Sequence, residues 1–111
     1  MPHRIIYSSR FIRKAKDLKK KHLSLVEDLK VLESSLLVDP TLGVDLGAGL
    51  RKIRLAVTSK SKGKSGGYRV ITFLVTENEG AIAINMLTLY DKSEESSINK
   101  KRLLEYVKEL E

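Results

Sequence analysis

Apolar positions along the chain follow two periods, and the periods divide it into elements. From Ser9 to about Lys21, Phe11, Ile12, Ala15 and Leu18 recur at helical spacing, while Arg13, Lys14, Lys16, Lys19, Lys20 and Lys21 fill the other face. Ser24 and Glu27 have capping-box spacing and predict the start of a second helix, with Leu25, Leu29, Leu32 and Leu36 on one side. The short break at His22 and Leu23 predicts an antiparallel helix hairpin. Asp39-Pro40 ends it, because proline disfavours helical backbone in the residue before it.

The period then changes to two. From Arg51 to Thr58, Ile53, Leu55 and Val57 alternate with Lys52, Arg54 and Ala56. Tyr68 to Thr76 is rich in branched and aromatic residues, Glu77-Asn78-Glu79-Gly80 reads as a hairpin turn, and Arg4 to Tyr7 fits a short edge strand. Ala81 to Tyr90 is nearly all apolar and predicts a central strand covered on both faces. The stretches Thr41 to Leu50 and Ser59 to Gly67 read as loops. Ser96 or Ser97 is expected to cap a last helix lined by Leu103, Leu104, Val107 and Leu110.

The resulting order is β-α-α-β-β-β-α. It implies an α+β domain: an N-terminal helix hairpin on a mostly antiparallel four-stranded sheet, with a C-terminal helix. The 111 residues suit one domain spanning 1–111.

Charge adds chemistry to this outline. The net charge is +7, and Arg51 to Arg69 alone holds seven Lys or Arg residues with no acid between Asp45 and Glu77. A small basic domain meets RNA, DNA, an anionic surface or an acidic protein. With no cysteine there is no disulfide, thiolate or Cys-zinc chemistry, and the composition suits a reducing cytoplasm. His3 and His22 lack metal-ligand spacing and read as surface residues, so neither a metal nor a cofactor is expected. No apolar run approaches the roughly 20 residues that span a bilayer, and the start MPHRIIYSSR lacks the apolar block of a signal peptide.

Lys52 and Arg54, two apart on a strand, project from one face roughly 6–7 Å from each other, a spacing that brackets one phosphate or simply forms the solvated face of an edge strand. Arg69 opens the next strand, and on the same face it makes three converging cations, unless it pairs with Asp45, Asp91 or a C-terminal glutamate. Lys60, Lys62 and Lys64 with Gly66-Gly67 form a basic, glycine-rich connection suited to a nucleic-acid backbone, or simply a soluble loop. Gly63-Lys64-Ser65 is not a P-loop: Thr58 stands where that motif needs glycine, and a strand follows where it needs a helix. Tyr90 and Lys92 close the long strand and are either further members of the cluster or, equally, a sheet-edge aromatic and an exposed loop residue. The basic face of the first helix is solvated or touches phosphates such as those of ribosomal RNA.

These segments together resemble the RelE/ParE superfamily of toxins from toxin–antitoxin pairs, and most of all its RelE/HigB-type branch. The likeness rests on the helix hairpin, Leu36 to Gly43, Leu50-Arg-Lys-Ile-Arg-Leu-Ala56, Gly63-Lys-Ser-Gly-Gly-Tyr-Arg-Val-Ile71 and Leu89-Tyr-Asp-Lys92, in that order. It implies a ribosome-dependent mRNA endonuclease of the cytoplasm, bacterial or archaeal, working without a metal by 2′-OH attack. Carried over by position, Lys52 is the candidate base, Arg54 a phosphate contact, Arg69 the transition-state stabiliser and Lys92 the group near the leaving oxygen. Tyr90 orients RNA or moves a proton, and Lys60, Lys62, Lys64 and Tyr68 are candidate RNA contacts. Where RelE has a tyrosine near the start of its C-terminal segment, this chain has Ile98, with Tyr90 or Tyr68 as substitutes. The likeness also implies an antitoxin partner, which covers the cations or displaces the C-terminal helix. Two other readings stand beside it: a non-enzymatic gyrase inhibitor like the ParE branch, and an inactive antitoxin-binding module.

Overall fold

The computed structural model describes residues 3–58 and 67–110. Along the chain run β1 (Arg4–Tyr7), α1 (Ser9–Lys19), α2 (Leu25–Val38), β2 (Val44–Gly47), β3 (Leu50–Leu55), β4 (Tyr68–Thr76), β5 (Ile82–Asp91) and α3 (Lys100–Lys108). The strands form one sheet of order β1-β5-β4-β3-β2. All pairings are antiparallel except that of β1 with β5.

Both sheet faces are covered, which explains the apolar run of β5. On one face α1 and α2 lay Phe11, Leu18, Leu25, Leu29, Leu32 and Leu36 against Ile53, Leu55, Tyr68, Val70, Ile84, Met86 and Leu89. On the other, α3 brings Leu103 and Tyr106 onto Leu50, Ile71, Leu87 and Tyr90. The period of two decides this division: Tyr68 and Val70 face the helix hairpin, whereas Arg69 and Ile71 face the α3 side.

The helix ends differ in detail from the capping rules. Ser8 caps α1, its Oγ accepting from Phe11 N. Ser24 and Glu27 do not form the expected box: Ser24 has helical backbone angles, and its hydroxyl instead donates to Asp28 at 2.8 Å. Neither Ser96 nor Ser97 caps α3. Asn99 does, its side chain accepting from Arg102 N. In α3 Tyr106 takes the buried place expected of Leu104, which is 37% exposed.

The sheet has five strands rather than four. The extra one, β2, lies in the stretch expected to be a loop, because it is only four residues long and offers just Val44 and Leu46 as alternating apolar positions. Gly47, Ala48 and Gly49 all have positive φ and reverse the chain tightly into β3. Gly43, with φ +94°, packs so closely that an added Cβ would sit 2.4 Å from the carbonyl oxygen of Lys52. We expect Gly43→Ala to destabilise the fold by about 2–3 kcal/mol, through both the left-handed backbone and the collision, as read by urea unfolding. A loss below about 0.5 kcal/mol would show that β2 gives way freely.

Candidate active site

Register gathers the cations. Arg54 is the direct partner of Arg69, and Arg69 that of Tyr90, so the three stand in one row across β3, β4 and β5. Lys52 stands one row further along, opposite Ile71, which itself faces Thr88. Residues in register share a sheet face, so Lys52, Arg54, Arg69 and Tyr90 all lie on the α3 side. Leu50, Ile71 and Leu87 on that side belong to the cluster with Leu103 and Tyr106 of α3. Beyond them, Arg54, Leu55, Ala56 and Arg69 line a cavity of about 230 Å³.

Arg69 is 8% exposed, and Nη1 donates to the Tyr68 carbonyl at 3.3 Å. Among the described residues Arg69, Arg54 and Lys52 form no ion pair. Two of the acids expected as alternative partners of Arg69 are engaged elsewhere. Asp45 lies 3.8 Å from Arg51 and accepts from Gly47 N, while Asp91 is in register with Tyr68 on the opposite face and accepts from Ser93. Like charges directly opposite on a sheet disfavour folding by a few tenths to about 1 kcal/mol. An anion seated between Arg54 and Arg69 removes that cost and gains charge-assisted hydrogen bonds.

Tyr90 lies on the expected face but is not an open side chain. It is 1% exposed, packed in the α3-side core. Burial raises its pKa, and so does Glu95, while Arg69 pulls the other way, so the phenol stays protonated at neutral pH. There it stands in register with Arg69 and is closed to solvent. Lys92 follows β5 and is turned onto its own loop, Nζ donating to the Ser96 carbonyl at 2.9 Å. Ile98 packs against the α3-side core.

Tyr68 corrects the expectation of an RNA contact. It is fully buried on the helix-hairpin face, behind the sheet from the cations. Its hydroxyl and His22 Nδ1 are joined at 2.7 Å, and the two rings meet edge to face. His22 is therefore a half-buried structural partner rather than a plain surface residue, and His3 Nδ1 accepts from Ile82 N. Lys60, Lys62 and Lys64 lie outside the described residues. On α1, Arg13, Lys16 and Lys19 are exposed, but Lys14 pairs with Glu95 and, just past the helix, Lys21 with Glu94.

Three arrangements carried no sequence signal. Asp28 accepts from Thr58 N at 3.0 Å and from Thr58 Oγ1 at 2.6 Å. Burial opposes ionisation there, yet the bonds from Thr58 and Ser24 hold the carboxyl below its ordinary value. Arg51, one of the seven cations, is structural, donating to the carbonyls of Leu42 and Gly43. Arg10 lies over the Tyr106 ring at 3.8 Å and pairs with Glu109, tying α1 to α3. The first and third join residues far apart in sequence, and Arg51 reaches back across the turn between β2 and β3, so no periodic pattern reveals them.

Comparison with known proteins agrees with this architecture. A family model described as the RelE toxin of the RelE / RelB toxin-antitoxin system matches residues 3–110. Among solved structures, an arginine-to-alanine mutant of E. coli toxin RelE in the free state aligns over 100% of both chains with a TM-score of 0.60. At 17% identity that likeness speaks for the fold. With the family match running over nearly all of its length, the chain belongs to the RelE toxin family.

Proposed function

We propose that this toxin cleaves mRNA on the ribosome through its sheet-borne cations. The observation that carries the reading is the register of Arg54 against Arg69, with Lys52 on the same face and no carboxylate paired with any of them among the described residues. Fixed guanidiniums suit a charge that grows on phosphate oxygens as the reaction proceeds.

In this reading a 2′-oxygen attacks the adjacent phosphorus, and the bond from phosphorus to the 5′-oxygen breaks. The products are a 2′,3′-cyclic phosphate and a free 5′-hydroxyl. Lys52 takes the 2′-hydroxyl proton. Arg54 and Arg69 hold the non-bridging oxygens, and Tyr90 braces Arg69 from the core. Lys92 returns a proton to the 5′-oxygen after leaving the Ser96 carbonyl. The family description supports a cognate antitoxin as partner; in this reading its acidic or apolar residues meet the Lys52 and Arg54 face. Ribosome and mRNA as partners place the work in the cytoplasm.

Brief induction followed by primer-extension mapping of mRNA ends tests the reading. We expect translation arrest and new 5′ ends inside coding regions. Intact mRNA together with a DNA-damage response would replace this assignment with gyrase inhibition, and harmless expression would reduce the chain to an antitoxin-binding module.

A further inference from the structure

We infer that the helix hairpin, through Asp28 of α2 and His22 of the turn before it, is a two-point clamp that holds the ends of β3 and β4 and thereby positions Arg54 and Arg69. The inference rests on the ribonuclease reading for its consequence, and on geometry for its existence.

The problem it solves is physical. Arg54 and Arg69 face each other one residue pair from the end of the ladder, since Leu55↔Tyr68 is the last pair in register. Strand ends fray, and two guanidiniums opposite each other push this end apart. Past Leu55, the backbone of Thr58 is no longer held by β4; it is held by Asp28 of α2 through its amide and its hydroxyl. Ser24 donates to the same carboxylate and fixes its rotamer. On the β4 side, Tyr68 is joined to His22, and Gly67 accepts from Lys92 N at 3.1 Å. Both strand ends are therefore anchored to the helix hairpin, on the face opposite the cations. The anchors touch neither Arg54 nor Arg69, so Asp28 and His22 are positioning residues. A displacement of about 1 Å at a phosphate-binding pair is enough to slow chemistry severely.

The test uses the full chain, with Asp39→Ala as matched control. Asp39 holds Thr41 through the same two bonds, N at 3.0 Å and Oγ1 at 2.6 Å, at the far end of α2. In Asp28→Ala, we expect amide hydrogen exchange to quicken at Arg54–Thr58 and Gly67–Arg69. Single-turnover cleavage of mRNA on programmed ribosomes should fall about 10-fold in that variant while the half-saturating ribosome concentration moves less than about twofold. Tyr68→Phe should show the same split more weakly, and Asp28→Asn, which keeps one acceptor for Thr58, should recover most of the rate. If Asp28→Ala cleaves no more slowly than Asp39→Ala, the clamp has no bearing on the site and the inference falls. If the unaltered protein cleaves no RNA, the ribonuclease reading fails by itself and exchange decides the clamp. Faster exchange at both strand ends in Asp28→Ala but not in Asp39→Ala upholds it, and unchanged exchange overturns it.

Discussion

Replacing Arg69 by alanine is expected to slow single-turnover mRNA cleavage on ribosomes by about 10²–10³-fold, the loss that follows when one fixed transition-state donor is removed. The side chain is well placed for so large an effect. It is 8% exposed, oriented by the Tyr68 carbonyl, and flanked in register by Arg54 and Tyr90. Because it has no ion-pair partner among the described residues, its removal leaves no orphaned carboxylate, and relief of the repulsion with Arg54 offsets part of the lost packing. The variant should keep the circular dichroism spectrum and cooperative melting of the parent. Arg69→Lys, which keeps the charge but loses the planar fork, should recover only part of the rate. Undiminished cleavage by Arg69→Ala, with fold intact, would remove the cation row from the mechanism.

The largest loss of stability is expected from Phe11→Ala. Phe11 is 1% exposed, lies 5.2 Å from the Tyr7 ring centre to centre, and anchors α1 in the larger core. Truncation of a buried phenylalanine should destabilise by about 3–5 kcal/mol, the transfer loss plus the cavity left behind. For a domain of this size the melting temperature should fall by more than about 10 °C. The residue sits on the helix-hairpin face, away from Lys52, Arg54 and Arg69, so the rate per folded molecule should stay at that of the parent. A loss under about 1.5 kcal/mol would mean that α1 repacks against the sheet and refills the space.

What the sequence revealed and what it concealed divide along a physical line. Elements written in local periodicity were legible: the apolar stripe of α2, the alternation of Ile53 and Leu55 against Lys52 and Arg54, and the unbroken run of β5. The convergence of Lys52, Arg54 and Arg69 was also within reach, since it needs only two adjacent antiparallel strands and a period of two. β2 was hidden because four residues with two glycines beside them carry almost no pattern. The placement of Tyr68 was open to misreading: it borders a basic segment, yet the parity that turns Arg69 toward α3 turns Tyr68 toward the hairpin. Tyr90 shows the reverse limit, since its face was predictable but its burial depends on Leu103 and Tyr106, which arrive from another element. The Asp28–Thr58 pair spans 30 residues and belongs wholly to tertiary structure.

The pairing of β1 with β5 has a consequence for biosynthesis. Strand β1 takes its partner among the described residues, Ile82–Asp91, from far along the chain, after every other strand of the sheet. A nascent chain stopped before Ile82 has an N-terminal segment with nothing to zip onto. Its α1 also lacks Ile84 and Met86 beneath Phe11 and Leu18. Chains truncated before Ile82 should therefore be protease-sensitive and non-native, and competence should arrive as a single event once β5 has been made.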